Sequence, residues 1–182
     1  MKKVTLKTKR LVLKPLTARY LDGPYVKWFN DREVCAANSH GDKRYTREDA
    51  WQYIEKVIKD PGYFVRAIET PEGVHIGNIA LQRIDRRSKN AEFAILIGDK
   101  KFWGRGYGEE AARLILDYGF KFLGLERIGA GTFSTNLGMR KLAKKLGMRR
   151  EGLRRRAFLK NGKFVDIMEF GLLKKEFKSN GN

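Results

Sequence analysis

The sequence predicts a mixed α+β domain, a mostly antiparallel sheet of about seven strands flanked by about four helices. Three observations carry that expectation. The first half is rich in strand-like runs joined by short turns, a strand–loop–helix–strand crossover follows, and the chain closes on a hairpin centred on Asn161-Gly162. Taken in order, Arg10 to Leu16 reads as a first strand closed by Pro15, and Tyr20 to Asp31 as a helical stretch interrupted at Gly23-Pro24. Thr46-Arg47-Glu48-Asp49 opens a helix running to about Lys59, with Thr46 and Asp49 at capping-box spacing, and Asp60-Pro61-Gly62 stops it. Tyr63 to Glu69 and Val74 to Ile84 are strands either side of the turn Thr70-Pro71-Glu72-Gly73. The polar turn Asp85 to Asn90 leads into a strand from Ala91 to Ile97. A helix from about Tyr107 to Leu123 presents Ala111, Ile115, Tyr118 and Phe122 as one buried stripe. Arg127 to Phe133 is a strand, Leu137 to Leu146 a short helix, and Arg154–Lys160 with Lys163–Leu173 the closing hairpin.

No repeat or linker divides the 182 residues, so one domain is expected across 1–182, with a folded core at about 8–177 and a flexible tail at 178–182. Lys plus Arg number 39 against 21 Asp plus Glu, a net charge of +18. That surface favours anionic partners or is simply a well-solvated face. The lone Cys35 excludes an internal disulfide framework and fits a reducing, cytoplasmic setting. Met1-Lys2-Lys3-Val4 lacks the apolar core of a signal peptide, and no run reaches membrane-spanning length, so no membrane partner is expected. Two histidines, His40 and His75, and one cysteine argue against a metal site.

The densest signal is Lys101-Phe102-Trp103-Gly104-Arg105-Gly106-Tyr107-Gly108, which follows an apolar strand and runs into a helix. Glycines let the backbone curl close to a ligand, and the free N–H groups of a helix start attract phosphate. Three readings compete. A nucleoside triphosphate loop needs Lys then Ser or Thr after its last glycine, whereas Glu109 follows Gly108. A dinucleotide fingerprint needs a tight strand-to-helix turn and an acidic residue after the next strand, and neither is here. A pyrophosphate held by loop and helix amides, with Arg105 supplying charge, remains.

At Trp103-Gly104-Arg105-Gly106-Tyr107-Gly108 the chain resembles the GNAT superfamily of acyl-CoA-dependent N-acyltransferases, whose coenzyme A loop reads Gln/Arg-x-x-Gly-x-Gly/Ala. Trp103 departs from the first position. The Trp-Gly-Arg-Gly-Tyr form with Glu-Ala after it is similar to the branch of ribosomal-protein, spermidine and nucleotide-sugar amine acetyltransferases. Asn136, Lys145-Leu146-Gly147-Met148, Arg150 to Arg154 and the hairpin with Asp166 follow in matching order. The resemblance implies acetyl-CoA as cofactor and direct attack of a primary amine on its thioester. It also implies a splayed parallel strand pair at the cofactor site. Ile95, Leu96 and Ile97 would then meet the cofactor through their main chain, with Trp103 to Gly108 and Asn136 completing the contacts.

Glu92 is the one carboxylate in the strand Ala91 to Ile97, where a charge is costly unless paired or used. The resemblance makes it the proton acceptor for the amine. The structural alternative is a carboxylate at a solvated face or paired with Arg127 or Lys89. Asn136 suits either a cofactor contact or the N-cap of the helix after it. Lys141, Lys144 and Lys145 are candidates for the cofactor's 3′-phosphate. Met139 and Ala143 stand where relatives carry a proton donor for the leaving thiolate, so no general acid is assigned. Trp28, Phe29 and Asn30 resemble an acceptor-binding run in members that acetylate amino sugars on nucleotides, although such aromatics also serve as core. The expected partner is therefore a small-molecule amine, with a ribosomal protein or peptide amino terminus as the alternative. A basic nucleic-acid-binding module without catalysis is a distant third. The chain is expected to act as a monomer or homodimer.

Overall fold

The computed structural model describes residues 4–178, so the expected tail lies outside the described residues from 179 onward. Among the described residues the strands are β1 Leu6–Lys7, β2 Val12–Pro15, β3 Phe64–Glu69, β4 His75–Asp85, β5 Asn90–Ile97, β6 Arg127–Phe133, β7 Arg149–Lys160 and β8 Lys163–Leu173. The helices are α1 Tyr25–Trp28, α2 Arg47–Lys59, α3 Tyr107–Lys121 and α4 Leu137–Lys145. One sheet joins the strands in the order β1-β2-β3-β4-β5-β6-β8-β7. Every neighbouring pair is antiparallel except β5 and β6.

Two cores cover the two faces. Ile79, Leu81, Phe93 and Ile128 pack on one face beneath α3 and α4 through Ala111, Ile115, Leu116 and Ala143. Val65, Ala67, Ala80, Ala94 and Leu96 meet α1 and α2 on the other through Trp28, Ala50 and Ile54. Alternation along β5 therefore sends Phe93, Ile95 and Ile97 to the α3 face and Ala94 and Leu96 to the α2 face.

The local signals explain the element ends. Thr46 accepts from the Asp49 backbone N–H at 3.1 Å while Asp49 accepts from Thr46 N–H at 2.8 Å, which is the capping box the spacing predicts. Asn161 and Gly162 sit at φ 48° and 74°, the left-handed pair that matches a two-residue turn to strand twist. Three differences from the sequence reading are informative. β1 has two residues and escapes any pattern, so the sheet has eight strands and begins before residue 8. β7 begins at Arg149 rather than Arg154, because its Arg- and Glu-rich start hides the alternation. Phe122 is 73% exposed and not part of the α3 stripe, because the helix ends at Lys121; Ala112, Leu116 and Phe120 are buried instead.

At the end of β5, Gly98 lies against the Trp28 indole so closely that a Cβ there would fall within the ring. Gly98→Ala should therefore cost about 1–3 kcal/mol of stability by overpacking, read as a lower midpoint in urea unfolding. An unchanged midpoint would show that the α1 face does not depend on this contact.

Candidate active site

β5 and β6 run side by side for three residue pairs, Asn90↔Arg127, Ala91↔Ile128 and Glu92↔Gly129, and then part. β4 continues to pair with β5 as far as Gly77↔Ile97, and β8 with β6 as far as Ile167↔Phe133. Beyond Glu92, then, each of the two strands keeps its outer neighbour and loses its inner one. The main-chain groups of Phe93 to Ile97 that turn toward β6 form no ladder there. Backbone donors and acceptors left open at the centre of a sheet are costly unless something else pairs with them. A V-shaped gap of this kind accepts an extended ligand arm in the manner of an added strand.

The glycine loop stands at the open end of the gap. Gly104 and Gly106 have φ of 71° and 83°, left-handed values that an L side chain rarely adopts. Gly106 is the residue before α3, and no side chain caps that helix start. Its first N–H groups and the positive end of the helix dipole are thus available to an anion. Gly108 packs on Ile95 and Ile97, which seats the first turn of α3 against β5. Trp103 donates its indole N–H to the Ile97 carbonyl at 2.7 Å and so fastens the loop to the strand end.

The first turn of α3 also carries Glu109 and Glu110, whose charge would oppose an anion. Both are matched by cations. Lys145 and Arg113 each lie 3.0 Å from Glu109. Lys145 above all, together with Arg113, holds the Glu109 carboxyl below its ordinary range against the effect of burial. Lys145 is therefore committed here. Arg10 donates through Nε to Glu110 at 2.7 Å, reaches the Arg105 carbonyl at 3.3 Å and lies over the Tyr107 ring. Sequence reasoning missed Arg10, because nothing in the chain near it points to a loop 95 residues away.

Glu92 faces away from α3, at the closed end of the V, with its side chain 31% exposed. It pairs with Arg83 at 3.0 Å, not with Arg127 or Lys89. Beside it is a pocket of about 520 Å³ lined by Arg83, Glu92, Arg127, Gly131, Arg154 and Glu169, among others. Arg127 makes a two-point pair with Glu151 at 2.7 and 2.6 Å, and Arg154 meets Glu169 at 2.7 Å. Glycines at 129, 131 and 171 let these pairs lie close on the sheet; a Cβ on Gly171 would collide with both Arg127 and Glu151.

Arg83 reaches Glu92 through a bulge. The ladder runs Gln82↔Glu92 and then Asp85↔Asn90, so β4 spends one more residue than β5 over this stretch. Arg83 is at φ 52°, a left-handed value that costs a non-glycine residue roughly 1–2 kcal/mol.

The other sequence candidates fall into two groups. Trp28 and Phe29 are buried, at 6% and 7% exposure, and belong to the α2-side core. Asn30 donates to the Val26 and Tyr45 carbonyls and accepts from Tyr45 N–H, so it clasps the 30–45 loop. Asn136 accepts from Met139 N–H at 2.9 Å as the N-cap of α4 and donates to the Ala37 carbonyl at 3.0 Å. Lys160, only 7% exposed, pairs with Asp42 at 3.0 Å and donates to the His40 carbonyl. Asn136 before α4 and Lys160 at the end of β7 thereby pin the 37–42 segment to the far half of the fold. Ala143 is fully buried and Met139 packs on the α3-side core.

Beneath Trp28 lies His75, with ring centroids 4.7 Å apart. Its Nε2–H points at the Gly77 carbonyl at 2.9 Å, while Nδ1 has no hydrogen-bond partner. Burial pushes its pKa below the ordinary 6.5, because a second ring proton would have no acceptor. The unfolded chain then binds the proton first as pH falls. This part of the stability is complete above pH 6.5 and declines as pH drops toward the folded-state value. Urea midpoints should fall as pH drops below 6.5, and His75→Gln should reduce that slope; an identical slope in the variant would contradict the assignment.

The site can be set beside known proteins. The family model described as an acetyltransferase (GNAT) domain matches residues 10–149. YjcK of Bacillus subtilis, named a probable N-acetyltransferase, is 30% identical over 146 residues, covering 80% of this chain and 81% of that one. YdaF of the same organism, whose name carries a provisional assignment as a ribosomal N-acetyltransferase, is 30% identical over 107 residues, 59% of this chain and 58% of its own. The crystal structure of Vibrio cholerae spermidine N-acetyltransferase with CoA and spermine superposes with a TM-score of 0.83 at 22% identity. It covers 93% of this chain and 98% of that one, and shares the fold.

Proposed function

Because this chain belongs to the acetyltransferase (GNAT) family, and is an acetyl-CoA-dependent N-acetyltransferase, we propose that its acceptor is a small anionic molecule bearing a primary amine, such as an amino sugar on a nucleotide. The observation that supports this acceptor is the pocket at the closed end of the V. It sets Glu92, placed to take a proton, beside Arg83, Arg127 and Arg154, of which Arg83 is the most exposed; Arg127 and Arg154 are paired with Glu151 and Glu169. The net charge of +18 adds to the pull on an anionic acceptor and works against a polycation. Family membership removes the reading as a nucleic-acid-binding module without catalysis.

The residues divide the work as follows. Bound acetyl-CoA supplies the activated acetyl group. Main-chain groups of Ile95 and Ile97 that turn toward the gap align it, with Leu96 between them held in the β4 ladder, and an N–H on that open edge is offered to the negative charge that develops. The Ile97 carbonyl is already taken by Trp103, so its part is to hold the loop. The amides at Gly104 to Gly108 and the start of α3 hold the pyrophosphate, with Arg105 adding charge. Asn136 acts by fixing the start of α4 and the 37–42 segment, both of which border the gap. Trp28 and Phe29 act as core and Asn30 clasps the 30–45 loop, so their part toward the acceptor is to hold the α2-side scaffold. Glu92 takes the ammonium proton, directly or through one water, so that the amine attacks as a free base. Met139 and Ala143 carry no transferable proton, and no general acid is assigned to the leaving thiolate.

A peptide amino terminus is the second reading. Exposed Arg154, Arg155 and Arg156 on β7 and the +18 charge would suit a substrate presented on an anionic ribosome.

Coenzyme A release measured with glucosamine 6-phosphate, a UDP-linked amino sugar, a short peptide and spermidine should give the highest kcat/KM with the anionic amines. Highest activity with the peptide would favour the second reading, and with spermidine would contradict both. Glu92→Gln should lower kcat by roughly 10²–10⁴-fold and shift the activity profile to higher pH, with acetyl-CoA affinity unchanged. A wild-type profile in that variant would return Glu92 to a structural role.

A further inference from the structure

We propose that Arg83 is the acceptor-sensing residue of this site, an arginine turned toward Glu92 by the β4 bulge so that an anionic acceptor, by taking its guanidinium, frees the carboxylate for the amine. The inference rests on the reading of Glu92 and its pocket given above, and adds a specificity device to it.

The re-aiming is visible in the strand itself. Ile79 and Leu81 pack on the α3-side core, and in a regular strand Arg83 would follow them there. Instead Ile84 takes that place on the α3 side, and the extra residue, Arg83, joins the face that carries Glu92. A bulge beside a site is a recognised way to redirect one side chain. The left-handed backbone at Arg83, φ 52°, is the conformation that this turn requires, and arginine has no intrinsic preference for it.

The pair that results is poorly built for structure and well built for exchange. Arg83 is 78% exposed and meets Glu92 through a single contact at 3.0 Å. Its neighbour Arg127 is bound at two points to Glu151 and is 40% exposed, a far more fixed arrangement. A diphosphate or phosphate entering the pocket offers Arg83 a bidentate partner of higher charge than one carboxylate oxygen. Arg83 then moves from Glu92 to the acceptor, while Arg127 stays held by its two-point pair with Glu151. Glu92 loses its cation as the acceptor's ammonium arrives and accepts the proton from it. A neutral-bodied amine offers Arg83 nothing, leaves the Arg83–Glu92 pair closed, and reacts slowly.

The test uses the full chain with saturating CoA, so that the glycine loop is filled, and titrates UDP by calorimetry at low ionic strength. Arg83→Gln should weaken UDP binding at least 10-fold. Glu92→Gln should tighten it several-fold, because the competing carboxylate is gone. Steady-state assays with glucosamine and glucosamine 6-phosphate should show the phosphorylated acceptor preferred by the wild type. In Arg83→Gln that preference should collapse through a higher KM for the phosphorylated amine, with the KM for acetyl-CoA unchanged and partial recovery in Arg83→Lys. Arg83→Gly, which relaxes the left-handed backbone, should be folded and lack the preference too. UDP affinity unaltered in Arg83→Gln, or weakened in Glu92→Gln, would overturn the proposal whatever the turnover numbers. UDP affinities that change as expected while Glu92→Gln keeps full turnover would support the Arg83–anion exchange and place the failure in the catalytic reading of Glu92.

Discussion

The parting of β5 from β6 after Glu92↔Gly129 is the constraint on which the rest of the structure depends. A sheet of this size normally closes every ladder, since an open backbone edge in its middle wastes hydrogen bonds. Here the outer neighbours, β4 and β8, continue along the two diverging strands, so the gap is held open by paired strands and not by disorder. The open edge is stable because it is short and because the α3-side core packs beneath it through Phe93, Ile95 and Ile97. What the protein gains is a ready-made strand position for a ligand arm.

The groups at the two ends of that gap differ in kind. At the open end, left-handed glycines and an uncapped helix start gather N–H donors, and the acidic residues of the first α3 turn are each tied to cations. At the closed end three arginine–glutamate pairs gather, Arg83–Glu92, Arg127–Glu151 and Arg154–Glu169. Between them the 37–42 segment crosses from one half of the sheet to the other and is pinned by Asn136 and Lys160. The two halves of the fold are thus joined by Asn136 and Lys160.

Much of this was legible in the chain, and the parts that were not share a cause. The capping box at Thr46 and Asp49, the Asn161-Gly162 turn and the glycine loop are local codes, in which neighbouring residues dictate the backbone. The splayed pair could be anticipated only by resemblance, because the apolar run Ala91 to Ile97 looks the same whether its neighbour stays or leaves. Asn136 showed an even choice between cap and contact, and its amide turned out to be occupied at both ends by the protein. Arg83, Arg10 and Lys160 carried no signal. Each acts on a partner set by tertiary structure, and the bulge that aims Arg83 places an ordinary surface residue where a glycine would have announced it. Phe122 misled for the converse reason, since its helical phase is right but its helix has already ended.

Backbone amide hydrogen exchange, followed residue by residue with and without coenzyme A, tests the central claim most directly. Open amides between parted strands exchange fast, and pairing with a ligand arm must slow them. The account predicts that coenzyme A protects amides within 93–97 on β5 and in the first turn of α3 from Tyr107, and leaves β3 and the β7–β8 hairpin tip unchanged. Protection absent from β5, or spread evenly over the sheet, would mean that the gap is not the seat of the cofactor.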